Sequence, residues 1–219
     1  MFELFDPQSE FTIREGMLPH WCQLGVTYFV TMRTEDSVPA SVADTWRIRR
    51  DQWLLRQDIS ISDSNWKVRL AQHPLLYQEF HAEFTREFMA YLDRGYGACR
   101  LRDPAISTIV ASSLGHFDGV RYLLGDYVVM PNHLHVIVCL LGTTEIEAQC
   151  RSWKRFTARR INETIGRCGR FWQEESFDHL VRSPQQFEYL QRYIRDNPVK
   201  ANLREGDFLY RPSNKSFVE

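Results

Sequence analysis

At 219 residues, 43% hydrophobic and 13% aromatic, the chain has enough apolar material for a core of domain size, which excludes an intrinsically disordered chain. Its formal net charge of −1 hides an asymmetry. Between Arg151 and Arg204 there are 12 Lys/Arg against 6 Asp/Glu, a net of +6 that leaves −7 for the rest, and a basic C-terminal third suits a phosphate-bearing partner as well as it suits a solvated surface.

The five cysteines are scattered, odd in number and without a Cys-x-x-Cys pair. With no signal peptide, that points to a reducing compartment and away from zinc ribbons and disulfide scaffolds. The longest apolar runs, such as Val136–Leu141, are too short to span a bilayer. The expectation is a cytoplasmic protein.

Residues 1–20 show no clear period. Val26–Arg33 is β-branched and aromatic and predicts a strand. Ser41 opens a helical stretch containing Trp46, Trp53 and Leu54, and Asp58–Lys67 is polar and turn-like. Leu75, Leu76, Phe80, Phe84, Phe88, Tyr91 and Leu92 recur at helical spacing up to Gly95. Residues 37–95 therefore predict a helical insertion within one domain spanning 1–219, and they carry no obvious chemistry. Asp103-Pro104 is an N-cap followed by proline at the first helical position, opening a helix to Phe117. Tyr122–Met130 and His133–Leu140, joined by Pro131-Asn132, predict a β-hairpin. Thr144 and Glu147 have the spacing of a capping box for a helix to about Ile165. Phe171–Val181 predicts a strand. Ser183-Pro184-Gln185-Gln186 opens another helix, which Pro198 should end or kink near Asn197. The fold class is α+β, an antiparallel sheet with helices packed on it.

Three constellations can carry chemistry. In His133-Leu134-His135, strand alternation puts both imidazoles on one face, a spacing that suits two ligands on one metal and equally a pair of edge-strand histidines. A metallo-β-lactamase pattern fails at Val136–Val138, and an amidohydrolase barrel fails because 84 residues follow His135. Tyr189, Tyr193 and Asn197 lie at i, i+4 and i+8 on one helix face, either covering a core edge or meeting a metal on a neighbouring sheet. Arg151, Lys154, Arg155, Arg159 and Arg160, with Trp153 and Phe156 between them, form a helical stretch without acidic residues. It suits a phosphate track with stacking bases, or a solvated face with its aromatics in the core.

Taken together, these segments resemble a known family. Val128–Val138 (VVMPNHLHVIV) resembles the signature of the single-tyrosine HUH transposases, named for two histidines around a hydrophobic residue. Ser152–Asn162, Gly169–Leu180 and Tyr193–Leu203 (YIRDNPVKANL) resemble the branch called REP-associated tyrosine transposases. Tyr28–Arg33 is similar to that family's first strand and Leu101–Phe117 to its helix before the hairpin, so the likeness covers about 26–33 and 98–205 in order.

The resemblance implies a ferredoxin/RRM-like HUH nuclease core flanked by helices. It implies His133, His135 and Asn197 as ligands of a divalent metal, Mg²⁺ or Mn²⁺, and Tyr193 as nucleophile. It implies single-stranded DNA with palindromic hairpin repeats as partner, nicked and rejoined through a 5′-phosphotyrosine, in a nucleoid-associated protein. Arg151, Lys154, Arg155, Arg159 and Arg160 are then the expected DNA contacts. A hairpin-binding protein that has lost cleavage, and a phosphodiesterase using water, are the alternatives. Whether the chain is a monomer or a homodimer is left open.

Overall fold

The structure, a computed structural model, describes residues 2–14, 20–63, 66–213 and 215. Part of the unpatterned leader (1 and 15–19) and of the turn-like stretch (64 and 65) lies outside the described residues. The sheet is built from β3 (Thr27–Arg33), β4 (Tyr122–Val129), β5 (His133–Leu140), β6 (Phe177–Leu180) and β7 (Leu209–Arg211). Its order is β6-β3-β5-β4-β7, every pair antiparallel. The leader contributes a separate two-stranded ribbon, β1 (Thr12–Arg14) with β2 (His20–Cys22).

Strand β5 is buried along its whole length, which its near-continuous apolar run anticipates for a central strand. Strict alternation then divides its side chains between two cores. Leu134, Val136 and Val138 join Tyr28, Val30 and Met32 under α5 (Pro104–Gly115) and α6 (Ile146–Ile165). Ile137 and Cys139 join Phe29 and the apolar side of α7 (Pro184–Lys200). By the same alternation His133 and His135 belong to the α7 face. Strand β4 carries a register shift between Leu124 and Tyr127. Gly125 lies there, and a Cβ on it would meet the Ile137 carbonyl oxygen at 2.9 Å, so only glycine allows that backbone approach.

The segment from 37 to 95 is helical: α1 (Ala40–Arg56), α2 (Trp66–Ala71), α3 (Pro74–Phe80), a π-helical turn over His81–Thr85, and α4 (Arg86–Asp93). Trp53, Leu54, Ile59, Trp66, Leu70 and Phe80 form a core of their own within it. The expected antiparallel α+β architecture is thus present. Among the described residues, no helix is long and apolar enough to cross a membrane.

Three local expectations need correcting. The Thr144–Glu147 box does not form: Glu145 occupies the N-cap position, without a side-chain cap bond. Phe171–Val181 is a strand only over Phe177–Leu180, preceded by an isolated bridge between Thr34 and Trp172. Helix α7 runs through Pro198 to Lys200. Proline removes one amide donor, but the buried Asn197 and Pro198 anchor the last turn, and Ala201 N–H still reaches the Asn197 carbonyl at 3.0 Å. The opening of α7 forms as expected, with Ser183 Oγ accepting from Gln186 N–H at 3.1 Å and Gln186 Oε1 accepting from Arg182 N–H at 2.8 Å.

Candidate metal centre and tyrosine

The hairpin turn sets the site. Met130 N–H donates to the His133 carbonyl at 2.8 Å across Pro131-Asn132, so His133 opens β5 and His135 follows on the same face. Both imidazoles are fully buried, and their Nε2 atoms lie 3.1 Å apart. On the far side of each ring an oxygen stands against Nδ1: Asn132 Oδ1 at 2.7 Å from His133, and Thr31 Oγ1 at 2.8 Å from His135. A donating Nδ1–H leaves an Nε2 lone pair free for a ligand. Burial holds both rings neutral, His133 at about 3 and His135 well below its ordinary value, with the neighbouring His133 adding to the shift.

Asp93, the last residue of α4, completes the group. Its Oδ1 is 3.5 Å from His133 Nε2, and one ligand atom from each of Asp93, His133 and His135 lies within 4.8 Å of the others. Residues 37–95, expected to hold no obvious chemistry, thus contribute a candidate ligand in Asp93. A local signal was present in the sequence: an acidic residue closing a helix faces the negative end of the helix dipole, a position where a carboxylate is disfavoured without a compensating cation. Burial raises the Asp93 carboxyl to about 6, against the lowering influence of Asn197 and Lys200.

Helix α7 brings the remaining groups. Tyr193 packs its ring 5.2 Å from His135 and 5.9 Å from Phe29. Asn197 is completely buried and borders both Asp93 and Tyr193. Burial, and then the negative charge of Asp93 and the neighbouring Tyr189, push the Tyr193 phenol far above the ordinary tyrosine range. The Tyr193 hydroxyl, both side-chain polar atoms of Asn197 and Asp93 Oδ1 are buried without a well-formed hydrogen bond, although Asn197 lies close enough to Asp93 and Tyr193 to lower the pKa of both. Native proteins rarely leave such groups unsatisfied. Of these, Asp93 Oδ1 and Asn197 Oδ1 are oxygen acceptors that, beside two facing imidazole lone pairs, make a donor set a divalent cation would satisfy. Nitrogen, carboxylate and amide oxygen suit Mn²⁺, and also Mg²⁺ with water completing its shell.

A polar cleft of about 240 Å³ opens onto this group. Its walls include Asp93, His133 and Asn202, with Arg94, Arg102 and Arg204 supplying positive charge.

The five expected DNA contacts lie elsewhere. Helix α6 packs on the opposite face of the sheet from the histidines, with Trp153 in the core and its Nε1–H donating to Tyr122 Oη at 3.1 Å. Phe156 is exposed. Arg151, Lys154 and Arg155 line a cavity of about 460 Å³ with Glu147, Glu174 and Glu175. Arg159 and Arg160 both pair with Glu163, at 3.0 and 3.3 Å.

No family model matches the chain. An uncharacterised protein of Haemophilus influenzae is 26% identical over an alignment 109 residues long that covers 40% of this chain and 58% of that protein; the chain thus spans a little over half of that relative's length. Among solved structures, the chain is similar to a REP-associated tyrosine transposase bound to a REP hairpin, at 16% identity and a TM-score of 0.46, over 90% of this chain and 77% of the other.

Proposed function

We propose that the chain is a metal-dependent single-strand DNA nicking and strand-transfer enzyme acting at hairpin repeats, with Tyr193 as nucleophile. The observation that carries this reading is the convergence of two neutral imidazoles and three buried polar atoms of Asp93 and Asn197 beside one tyrosine hydroxyl. The sequence segments around His133 and Tyr193, which resemble the HUH transposases, supply the substrate class.

His133, His135, Asp93 and Asn197 would hold the cation, which when bound supplies charge neutralisation at a phosphate and favours phenolate over phenol. Arg94, Arg102 and Arg204 bind the DNA backbone at the cleft. Tyr193 is held by its packing on Phe29 and His135, so its oxygen enters the reaction without a rotamer search. That oxygen forms the new bond to phosphorus while the bond from phosphorus to the 3′ oxygen breaks. The phenolic proton passes to solvent and the leaving 3′ oxygen takes one up. The products are a 5′-phosphotyrosine and a free 3′ hydroxyl, and the phosphodiester energy is conserved for rejoining.

The test is incubation with labelled single-stranded hairpins from DNA flanking the gene, with Mg²⁺ or Mn²⁺, followed by a denaturing gel. A metal-dependent covalent adduct is expected. Binding without an adduct identifies a hairpin-binding protein, and cleavage without an adduct identifies a phosphodiesterase using water.

A further inference from the structure

Helices α1 and α4 and the adjoining ends of β3 and β6 enclose another cavity, of about 360 Å³, separate from the cleft over the histidines. Trp46, Phe84, Phe88 and Phe177 line it. Trp46 meets Phe88 edge-on with ring centroids 5.5 Å apart, and the Arg33 guanidinium lies 5.1 Å from the Phe88 centroid. Arg47 and Arg50 also border it; Arg47 is paired with Asp44 at 3.0 Å and Arg50 with Asp51 at 2.7 Å. Glu175 supplies a further carboxylate at the wall. Flat aromatic faces with a guanidinium beside them are the side chains that stack on an unpaired base and hold its phosphate.

The position of the cavity selects its occupant. Arg33 is the register partner of His133 in the β3–β5 pairing, so it projects on the face that carries the metal centre. Phe88 and Asp93 share α4, five residues and about 7.5 Å apart along its axis. That is about two stacked nucleotides at roughly 3.4 Å each. A run of ring contacts continues from the cavity to the nucleophile: Phe177 to His179 at 5.7 Å, His179 to Phe29 at 5.2 Å, and Phe29 to Tyr193 at 5.9 Å. In the other direction, Glu175 and Ser176 line both this cavity and the one beneath Arg151 and Arg155.

We propose that this aromatic cavity seats one unpaired nucleobase of the same DNA strand whose phosphate lies at the His133–His135 centre, making the helical segment a base-reading element. The proposal rests on the DNA reading above and names a subsite for it. A strand entering at Tyr193 would place a base in the cavity against Trp46, Phe84 and Phe88, with Arg33 against its backbone, and then turn round the β6 edge towards α6.

The test walks 2-aminopurine, one position at a time, through the single-stranded arms of a hairpin substrate, reading base fluorescence and binding anisotropy with the full chain. One position is expected to be quenched on binding. Phe88→Leu and Arg33→Gln should each relieve that quenching and weaken binding about 5-fold or more, the scale of one lost base stack. An abasic site at that position should make the wild type and Phe88→Leu bind alike. Phe84→Leu is a second aromatic probe, and thermal melts show which variants remain folded. Quenching at no position, or quenching that survives all three substitutions, overturns the proposal. So does a dimer in sedimentation that Phe88→Leu dissolves, because a second copy of the chain would then cover the cavity. Failure of the wild type to bind any strand removes the DNA reading itself, whereas an adduct at Tyr193 without dependence on the cavity removes this proposal alone.

Discussion

Asn132 Oδ1 stands 2.7 Å from His133 Nδ1, while Asn132 Nδ2 donates to the Tyr96 carbonyl at 2.9 Å. The Tyr96 carbonyl fixes which end of the amide is the oxygen, and an oxygen there makes His133 Nδ1 the donor. The Nε2 lone pair is thereby aimed at His135 and Asp93. Asn132→Ala is expected to lower Mn²⁺ affinity about 10- to 100-fold, the usual cost of losing a partner behind a ligating histidine. Asn132→Asp keeps the acceptor and should lose less. Isothermal titration with Mn²⁺ decides it, and wild-type affinity in Asn132→Ala would show that something else orients the ring.

Asp93 gives the site a pH dependence of definite sign. Burial raises its carboxyl to about 6, and a cation needs the carboxylate, so metal affinity should fall as pH drops below about 6. His133, at about 3, does not compete in that window. Asp93→Asn should bind metal more weakly and lose this dependence. Stability without metal runs in opposite directions for the two groups. The folded Asp93 value lies above the ordinary 3.8, so its contribution is lost as pH rises from about 4 to 6. Both histidines are lowered, and the contribution of His133 grows as pH rises from about 3 to 6.5, with His135 acting in the same direction. The metal-free melting temperature of Asp93→Asn should therefore climb more steeply between pH 4 and 6 than that of the wild type. A parallel climb would mean that the carboxyl titrates normally, and a shallower one that folding lowers it.

Most of what depends on local pattern was legible in the sequence, the Thr144–Glu147 box excepted. The Asp103 cap accepts from Ala105 N–H at 2.9 Å, the Pro131-Asn132 turn forms, and the alternation of β5 puts His133 and His135 together. Tyr193 and Asn197 share a helix face for the same reason. Asp93 was not legible as a ligand, because its meeting with His133 spans 40 residues and depends on how α4 docks against the hairpin. Helical period gave α6 a basic stripe but could not say on which face of the sheet it would lie. Pro198 misled because the rule for proline inside a helix weighs one missing hydrogen bond, while the burial of Asn197 and Pro198 is a tertiary effect.

The opposite placement of α6 sharpens what its arginines can do. Arg155 borders an open cavity, whereas Arg159 and Arg160 share Glu163. A cation already paired gains less from a phosphate. Arg155→Ala should weaken strand binding and reduce the slope of log affinity against log salt by about 0.7, one phosphate contact on a single strand. Arg159→Ala should change it less. Neither should alter the yield of adduct at saturating DNA, since α6 is remote from the tyrosine. Anisotropy titrations across a series of salt concentrations measure both slopes, and an unchanged Arg155→Ala slope would remove α6 from the DNA path.

The assignment of the nucleophile rests on a contrast between two stacked tyrosines. Tyr189 and Tyr193 lie one helical turn apart with ring centroids 6.5 Å apart, so helix geometry alone favours neither. Their surroundings differ. Tyr189 is 59% exposed, while Tyr193 packs on His135 and its hydroxyl is buried without a well-formed hydrogen bond near Asn197 and Asp93. A buried hydroxyl that makes no well-formed hydrogen bond stabilises little by itself, so Tyr193→Phe should leave the melting temperature unchanged or raise it, by at most about 1 kcal/mol of stability. Hairpin binding should persist and the covalent adduct should vanish. Tyr189→Phe should still form the adduct. Mass-spectrometric mapping of the trapped peptide gives the direct answer: DNA carried on Tyr189, or on Tyr127 or Tyr122 of the hairpin, would overturn the assignment while leaving the reaction class in place.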